Sequence, residues 1–204
     1  MAEERMYHYP VWVRIWHWIN ALTFIVLLIT GISMQYSDPE NALLVPFEQA
    51  VQYHNIMGVV LSINYLFFIL GNLFTANGKY YRMARKGLFK RLMEQSKFYL
   101  FGMFQKEGPP FPLTPEEKFN PLQKVIYNVT MYLGFPVIII TGLALFFPET
   151  IIPKMFGVSG IFLTALLHVI VGFFLSLFLF IHVYVCTIGI TVGANFKSMF
   201  TGWH

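Results

Sequence analysis

"ALLHVIVGFFLSLFLFIHVYV", residues 165–185, decides how this chain is to be read. The stretch is long enough to cross a bilayer, whose hydrocarbon core takes about 20 apolar residues of helix, yet it carries two histidines, His168 and His182. A titratable ring in hydrocarbon is costly without a partner, so an intramembrane histidine points to function. At about 1.5 Å and 100° per residue, the spacing sets the two rings roughly 21 Å apart along the helix and only some 40° apart around it. One face of one helix thus presents an imidazole in each leaflet.

The rest of the chain has the same character. Its 204 residues are 56% hydrophobic, 18% aromatic and 12% charged, with a mean hydropathy of +0.59. A soluble domain of this size cannot hide that much apolar surface, so the chain reads as an integral membrane protein. Segments at about 11–34, 50–74, 122–147 and 161–192 are long and apolar enough to span. The last is longer than needed and is expected to tilt or run past the membrane. The expected fold is all-α, a four-helix bundle forming one membrane-embedded domain over residues 1–204.

Charge sets the expected orientation. Of 14 Lys and Arg residues, 13 lie in the N-terminus, in residues 75–124 and in the C-terminal tail, and the opposite loops hold only Lys154. The positive-inside rule then puts both termini and the middle loop in the cytoplasm. Within that loop "LFKRLMEQSKFYLFGMF", residues 88–104, mixes basic and apolar residues as an amphipathic helix at the headgroups would. The prolines of "QKEGPPFPLTPEEKFNP" block regular structure after it. The basic loops account for the pI near 9.1, and with no soluble basic module a nucleic-acid partner is excluded. Cys186 is the one cysteine, which excludes an internal disulfide, a protein-held iron–sulfur cluster and covalent haem attachment. The first ten residues lack an apolar core, so no cleavable signal peptide is expected.

Depth sorts the remaining histidines. His54, about one turn into the second span, shares the outer leaflet with His168. His17, about two turns into the first span, shares the inner leaflet with His182. Each pair joins two different helices, the arrangement required for two bis-histidine b haems stacked across the membrane. Gly58 in "HNIMG" and Gly172 in "HVIVG" follow their histidines by one turn and leave room for a flat porphyrin. A short echo, "LLITGIS" and "IIITGLAL", places Thr30-Gly31 and Thr141-Gly142 near the outer site. Zinc fits poorly, because the pairs are too far apart to share an ion and no cysteine cluster exists. His8 and His204 lie outside the spans and read as surface residues. A non-haem anchor, or a proton-coupled carrier with histidine relays, is the alternative.

"VRIWHWINALTFIVLLITGIS", "HNIMG" and "LLHVIVGFFLSLFLFIHVY" together resemble the four-helix di-haem cytochrome b subunits. That family includes the gamma subunit of formate dehydrogenase and the cytochromes b of nickel–iron hydrogenase and thiosulfate reductase. The resemblance implies two non-covalent b haems ligated by His17, His54, His168 and His182, in a bacterial cytoplasmic membrane. It implies electron exchange with menaquinone or ubiquinone at the cytoplasmic side, with Asn120 of "EKFNPLQKVIYN" at the quinone pocket beside His182. Gln123 and Lys124 fit the same N-x-x-Q-K pattern, whereas Pro121 and Leu122 stand where the formate dehydrogenase relatives carry smaller residues. Asn120-Pro121 also reads as an N-cap followed by proline at N1, and the two roles are compatible. Arg14 and Lys197 are candidates for holding inner-haem propionates, or simply positive-inside charges. The C-terminus stops sooner than in some relatives, so cytoplasmic tail contacts are expected to be absent. The implied activity is that of an electron wire with no bond chemistry on a soluble substrate. Its expected partner is an iron–sulfur/molybdenum oxidoreductase, a hydrogenase or a multihaem cytochrome c.

Overall fold

Prolines and polar caps punctuate the chain into helices. The computed structural model describes residues 6–37, 42–112, 114, 116–188 and 191–203. Helix α1 (Val11–Tyr36) begins directly after Pro10 and α2 (Phe47–Phe74) directly after Pro46. A middle helix α3 (Leu88–Leu100) follows Gly87, and the third span joins α4 (Pro121–Val129) to α5 (Phe135–Phe146). Ser159 caps α6 (Gly160–Cys186), and a short α7 (Ala194–Thr201) ends the described chain. Four of these units, Val11–Tyr36, Phe47–Phe74, Pro121–Phe146 and Gly160–Cys186, have mean hydropathies of 1.8, 1.9, 2.1 and 2.5 over their most apolar windows, enough to cross a membrane.

Several expected boundaries move. The fourth span stops at Cys186 instead of running to residue 192, because the Asn195 side chain donates to the carbonyls of Cys186 (3.2 Å) and Ile188 (3.1 Å) and ends the helix. The amphipathic helix ends at Leu100, and a 3-10 turn at Gly102–Gln105 takes up the remainder. A hairpin of two-residue strands, β1 (Lys154–Met155) and β2 (Val158–Ser159), interrupts the all-α pattern between α5 and α6. Its turn residues Phe156 (φ 53°) and Gly157 (φ 79°) are both left-handed, the geometry of a tight primed hairpin turn.

The third span is not a regular α-helix. Residues Thr130–Gly134 form a π turn just before Pro136. Proline has no N–H and its ring crowds the carbonyl four residues back, so the ladder widens there. The Met131 carbonyl accepts instead from the Tyr65 hydroxyl of α2 at 2.9 Å.

The spans pack through a cluster of large apolar side chains. Trp16, Leu61, Phe68, Met131, Phe135 and Leu175 form the buried cluster, with Trp16 stacked on Phe68 at 4.6 Å. Asn64 of α2 donates to the Trp16 carbonyl of α1 at 3.2 Å, a polar tie of the kind that holds helices together in lipid. Gly71 admits Trp12, whose ring would lie 2.5 Å from any added Cβ. Helix α6 is different: it is the most apolar span, yet only Gly160 and Leu175 are buried.

The two ends of the described chain meet. Tyr7 bridges Trp203, and the Gly202 carbonyl accepts from the amides of His8 (3.0 Å) and Tyr9 (3.2 Å). His8 is consequently buried, at 3% exposure, and not the surface residue expected from its position outside the spans. His204 lies outside the described residues.

Candidate functional site

The four intramembrane histidines meet in two pairs. The rings of His54 (α2) and His168 (α6) have centroids 6.2 Å apart, with planes crossing at 66°. Those of His17 (α1) and His182 (α6) are 6.1 Å apart, crossing at 55°. A metal–imidazole bond is about 2.0 Å long and the ring centre lies ~1.1 Å behind the nitrogen, so two rings on opposite sides of one ion have centroids about 6 Å apart. Both pairs meet that spacing. Among the described residues no three His, Cys, Asp or Glu side chains gather in a group that could hold a metal ion. Two imidazoles do not complete a tetrahedral zinc site. They do suit an iron whose other four positions a porphyrin already occupies.

Behind the His54–His168 pair the two halves of the chain carry the same device. The Thr30 hydroxyl lies 3.0 Å from His54 Nδ1, and the Thr141 hydroxyl lies 2.9 Å from His168 Nδ1. The glycine after each threonine faces the same ring: an added Cβ would sit 3.5 Å from His54 Cε1 at Gly31, and 3.1 Å from His168 Cε1 at Gly142. The histidine helices match too. The Ser62 hydroxyl donates to the Gly58 carbonyl at 2.8 Å, and that of Ser176 to the Gly172 carbonyl at 2.7 Å. The repeated Thr-Gly in the sequence signals this symmetry; the contacts to the rings are visible only once the helices pack.

Gly58 and Gly172 do not serve helix packing. A Cβ at Gly58 would meet nothing within 4 Å, and one at Gly172 only Ile138 Cδ1 at 3.8 Å. The open space one turn from His54 and from His168 fits a flat macrocycle.

The His17–His182 pair is supported differently. His182 stacks on Phe178 (5.6 Å, 22°), meets Tyr127 edge-on at 6.1 Å, and has the Cys186 sulfur 3.8 Å from its Nε2. His17 packs edge-on against Trp18, and its Nδ1 is buried without a hydrogen-bond partner. Arg14 does not turn wholly towards this pair. It donates from one guanidinium nitrogen to the Phe200 carbonyl of α7, while its Nε is buried and unpaired. Lys197 is exposed on α7.

Asn120 is an N-cap. Its Oδ1 accepts from the Gln123 amide at 2.9 Å, and Gln123 Oε1 accepts in return from the Asn120 amide at 3.2 Å. This reciprocal box opens the third span. Because Oδ1 is committed to the helix, Nδ2 faces outward and donates to the Tyr99 hydroxyl oxygen of α3 at 2.8 Å. Burial raises the Tyr99 pKa, while the bonds to Asn120 and the neighbouring Gln95 act in the opposite direction. Lys124 pairs with Glu117. Lys118, two residues before Asn120, is buried. It donates to Asn77 Oδ1 at 3.0 Å and lies over the Tyr80 ring at 4.2 Å. Sequence reading missed Tyr99 and Lys118, because neither sits in a motif and both take their meaning from segments distant in sequence.

The prokaryotic cytochrome b561 family matches residues 8–202. A protein of Escherichia coli (strain K12) named cytochrome YdhU is 39% identical over 201 residues, which cover 98% of this chain and 75% of that one. A protein of Rhodobacter capsulatus named as a Ni/Fe-hydrogenase B-type cytochrome subunit is 26% identical over 155 residues, covering 69% of this chain and 55% of that one. No solved structure matches. A match that takes in all four apolar spans and all four paired rings makes the chain a member of the prokaryotic cytochrome b561 family, a membrane electron carrier of the b-haem type.

Proposed function

We propose that this chain carries electrons across the membrane through two stacked b haems, one between His54 and His168 and the other between His17 and His182. The observation that carries the reading is the pair of imidazole couples at 6.2 and 6.1 Å, each drawn from two helices. Bound there, haem would supply one-electron ferric/ferrous chemistry. The four histidines would hold it, two to each haem, while Gly58 and Gly172 would clear space beside the outer couple and the apolar spans would keep water away. Quinone exchange is assigned to the inner end. Asn120, locked as a cap, orients the Tyr99 phenol so that its oxygen accepts from the amide and its proton is directed elsewhere, available to a menaquinone or ubiquinone carbonyl. Gln123 holds Asn120 in that pose. Both termini and the α3 loop are assigned to the cytoplasm on the distribution of Lys and Arg, with α3 at the headgroups.

An oxidoreductase exchanging electrons at the outer couple is the partner this reading requires, and the name of the Rhodobacter capsulatus relative supports a hydrogenase-like one. An iron–sulfur/molybdenum enzyme or a multihaem cytochrome c would serve the same role. Pyridine haemochrome analysis of the purified chain should give two haems per chain. Redox titration of single variants should show His54→Ala and His168→Ala losing one centre, and His17→Ala and His182→Ala losing the other. One haem per chain, or loss of the same centre in His17→Ala and His168→Ala, refutes the pairing. A chain with no reduced b-type band would instead be a non-haem anchor or carrier.

A further inference from the structure

The outer and inner ring pairs differ in what stands behind them. Each outer ring has a threonine hydroxyl at its Nδ1, at 3.0 Å for His54 and 2.9 Å for His168. A hydroxyl has a single proton to give. Thr30 gives its proton to the Val26 carbonyl at 2.7 Å, and Thr141 gives its own to the Val137 carbonyl at 2.7 Å. Each threonine oxygen can then only accept, so Nδ1 of each ring bears the hydrogen. Nε2 is therefore the bare nitrogen on both rings, with its lone pair free for a metal.

An imidazole whose N–H donates a hydrogen bond is a more basic ligand. A more basic ligand stabilises ferric over ferrous iron and lowers the potential. Among the described residues the inner rings have no such hydroxyl at Nδ1: His17 Nδ1 is buried without a partner, and His182 is framed by Phe178 and Tyr127.

Resting on the assignment of His54 and His168 as the outer ligands, we propose that Thr30 and Thr141 are positioning residues. Their hydroxyls select the Nδ1–H tautomer of both outer rings and hold the outer centre at a lower potential than the same ligands would have without them. The glycine after each threonine is part of the device, since it lets the ring lie against the helix that carries the hydroxyl.

The test uses the full chain purified in detergent with haem bound. Both centres are titrated optically in Thr30→Val, Thr141→Val and the double variant, with Thr30→Ser and Thr141→Ser as hydroxyl-retaining controls. Valine keeps the shape and β-branching and removes only the polar atom. Each single valine variant should move the ferric/ferrous equilibrium of one centre about tenfold towards ferrous, an upward shift of about 59 mV for a one-electron couple. The same centre should move in both variants, farther in the double, while the inner centre stays at its wild-type potential. Serine should restore the wild-type value. Loss of the outer haem in the valine variants with retention in the serine variants would equally support a role for the hydroxyl. An outer centre that keeps its haem and its potential in both valine variants overturns the proposal, as do serine variants that behave like valine. If His54→Ala and His168→Ala abolish different centres, the ligand assignment itself is wrong and the proposal falls with it.

Discussion

Asn120→Asp separates the structural work of this residue from its proposed chemical work. In the wild type, Oδ1 caps the third span through the Gln123 amide at 2.9 Å, and Nδ2 donates to the Tyr99 hydroxyl oxygen at 2.8 Å. Aspartate keeps the capping acceptor and adds a negative charge at the helix N-terminus, favourable by about 0.3–1 kcal/mol. It loses the amide donor, worth ~1 kcal/mol, but a carboxylate oxygen at the same place accepts from Tyr99 instead. Net stability should therefore stay within about 1 kcal/mol of wild type. Alanine loses both bonds and should cost about 2 kcal/mol. The effect on electron transfer runs in the opposite order. In the aspartate variant the Tyr99 proton is captured by the carboxylate, whereas in the alanine variant it stays free. Losing one hydrogen bond to a quinone carbonyl, at about 1.4 kcal/mol, slows transfer about tenfold. The assay is the rate at which a short-chain quinol reduces the haems of the purified chain, normalised to haem, with dithionite confirming that both centres remain reducible. Thermal unfolding by helix circular dichroism gives stability. The expected order of rate is wild type, then alanine, then aspartate, with Tyr99→Phe as slow as aspartate. A wild-type rate per haem in Asn120→Asp or in Tyr99→Phe refutes the reasoning and leaves Asn120 as a cap alone.

Gly142→Ala and Gly31→Ala should differ although the two sites are related by the internal repeat. An added Cβ sits 3.1 Å from His168 Cε1 at Gly142, tighter than ordinary contact, but 3.5 Å from His54 Cε1 at Gly31, which is ordinary contact. The first should cost about 1–3 kcal/mol of overpacking and release the haem proposed between His54 and His168 at lower temperature, and the second should be close to neutral; equal haem-retention curves would contradict the geometry. Lys118 supplies a pH dependence. Burial, with a smaller contribution from Lys79, pushes its pKa from 10.5 down to about 8. Between those values the unfolded chain binds more protons than the folded one, so stability rises with pH across that window, and below about 8 the cost of the buried charge is fully present. Thermal unfolding from pH 7.5 to 10 should show the rise in wild type and a flatter curve in Lys118→Met, and an unchanged slope in the variant would exclude Lys118 as its source.

The four spans, the pairing of the histidines and the capping signature at Asn120-Pro121 were legible in the amino-acid sequence. Each depends on local quantities: hydropathy over some 20 residues, the rise per residue of a helix, and a side chain reaching an amide three positions on. Because a helix makes depth proportional to residue number, the rings could be sorted into pairs before any packing was known. The end of α6 was misjudged because the cap at Cys186 comes from Asn195, beyond the apolar run that hydropathy measures. The burial of His8 depends on Gly202, at the far end of the chain. Only the tertiary structure decided which hydroxyl faces which ring. Thr30 reaches His54 and Thr141 reaches His168 across helix interfaces, and the rotation of one helix against another is set by packing such as that of Trp12 into Gly71 and Trp16 onto Phe68. No periodicity within a single helix encodes that rotation, so the repeated Thr-Gly could be noticed in the sequence but its contacts could not be derived from it.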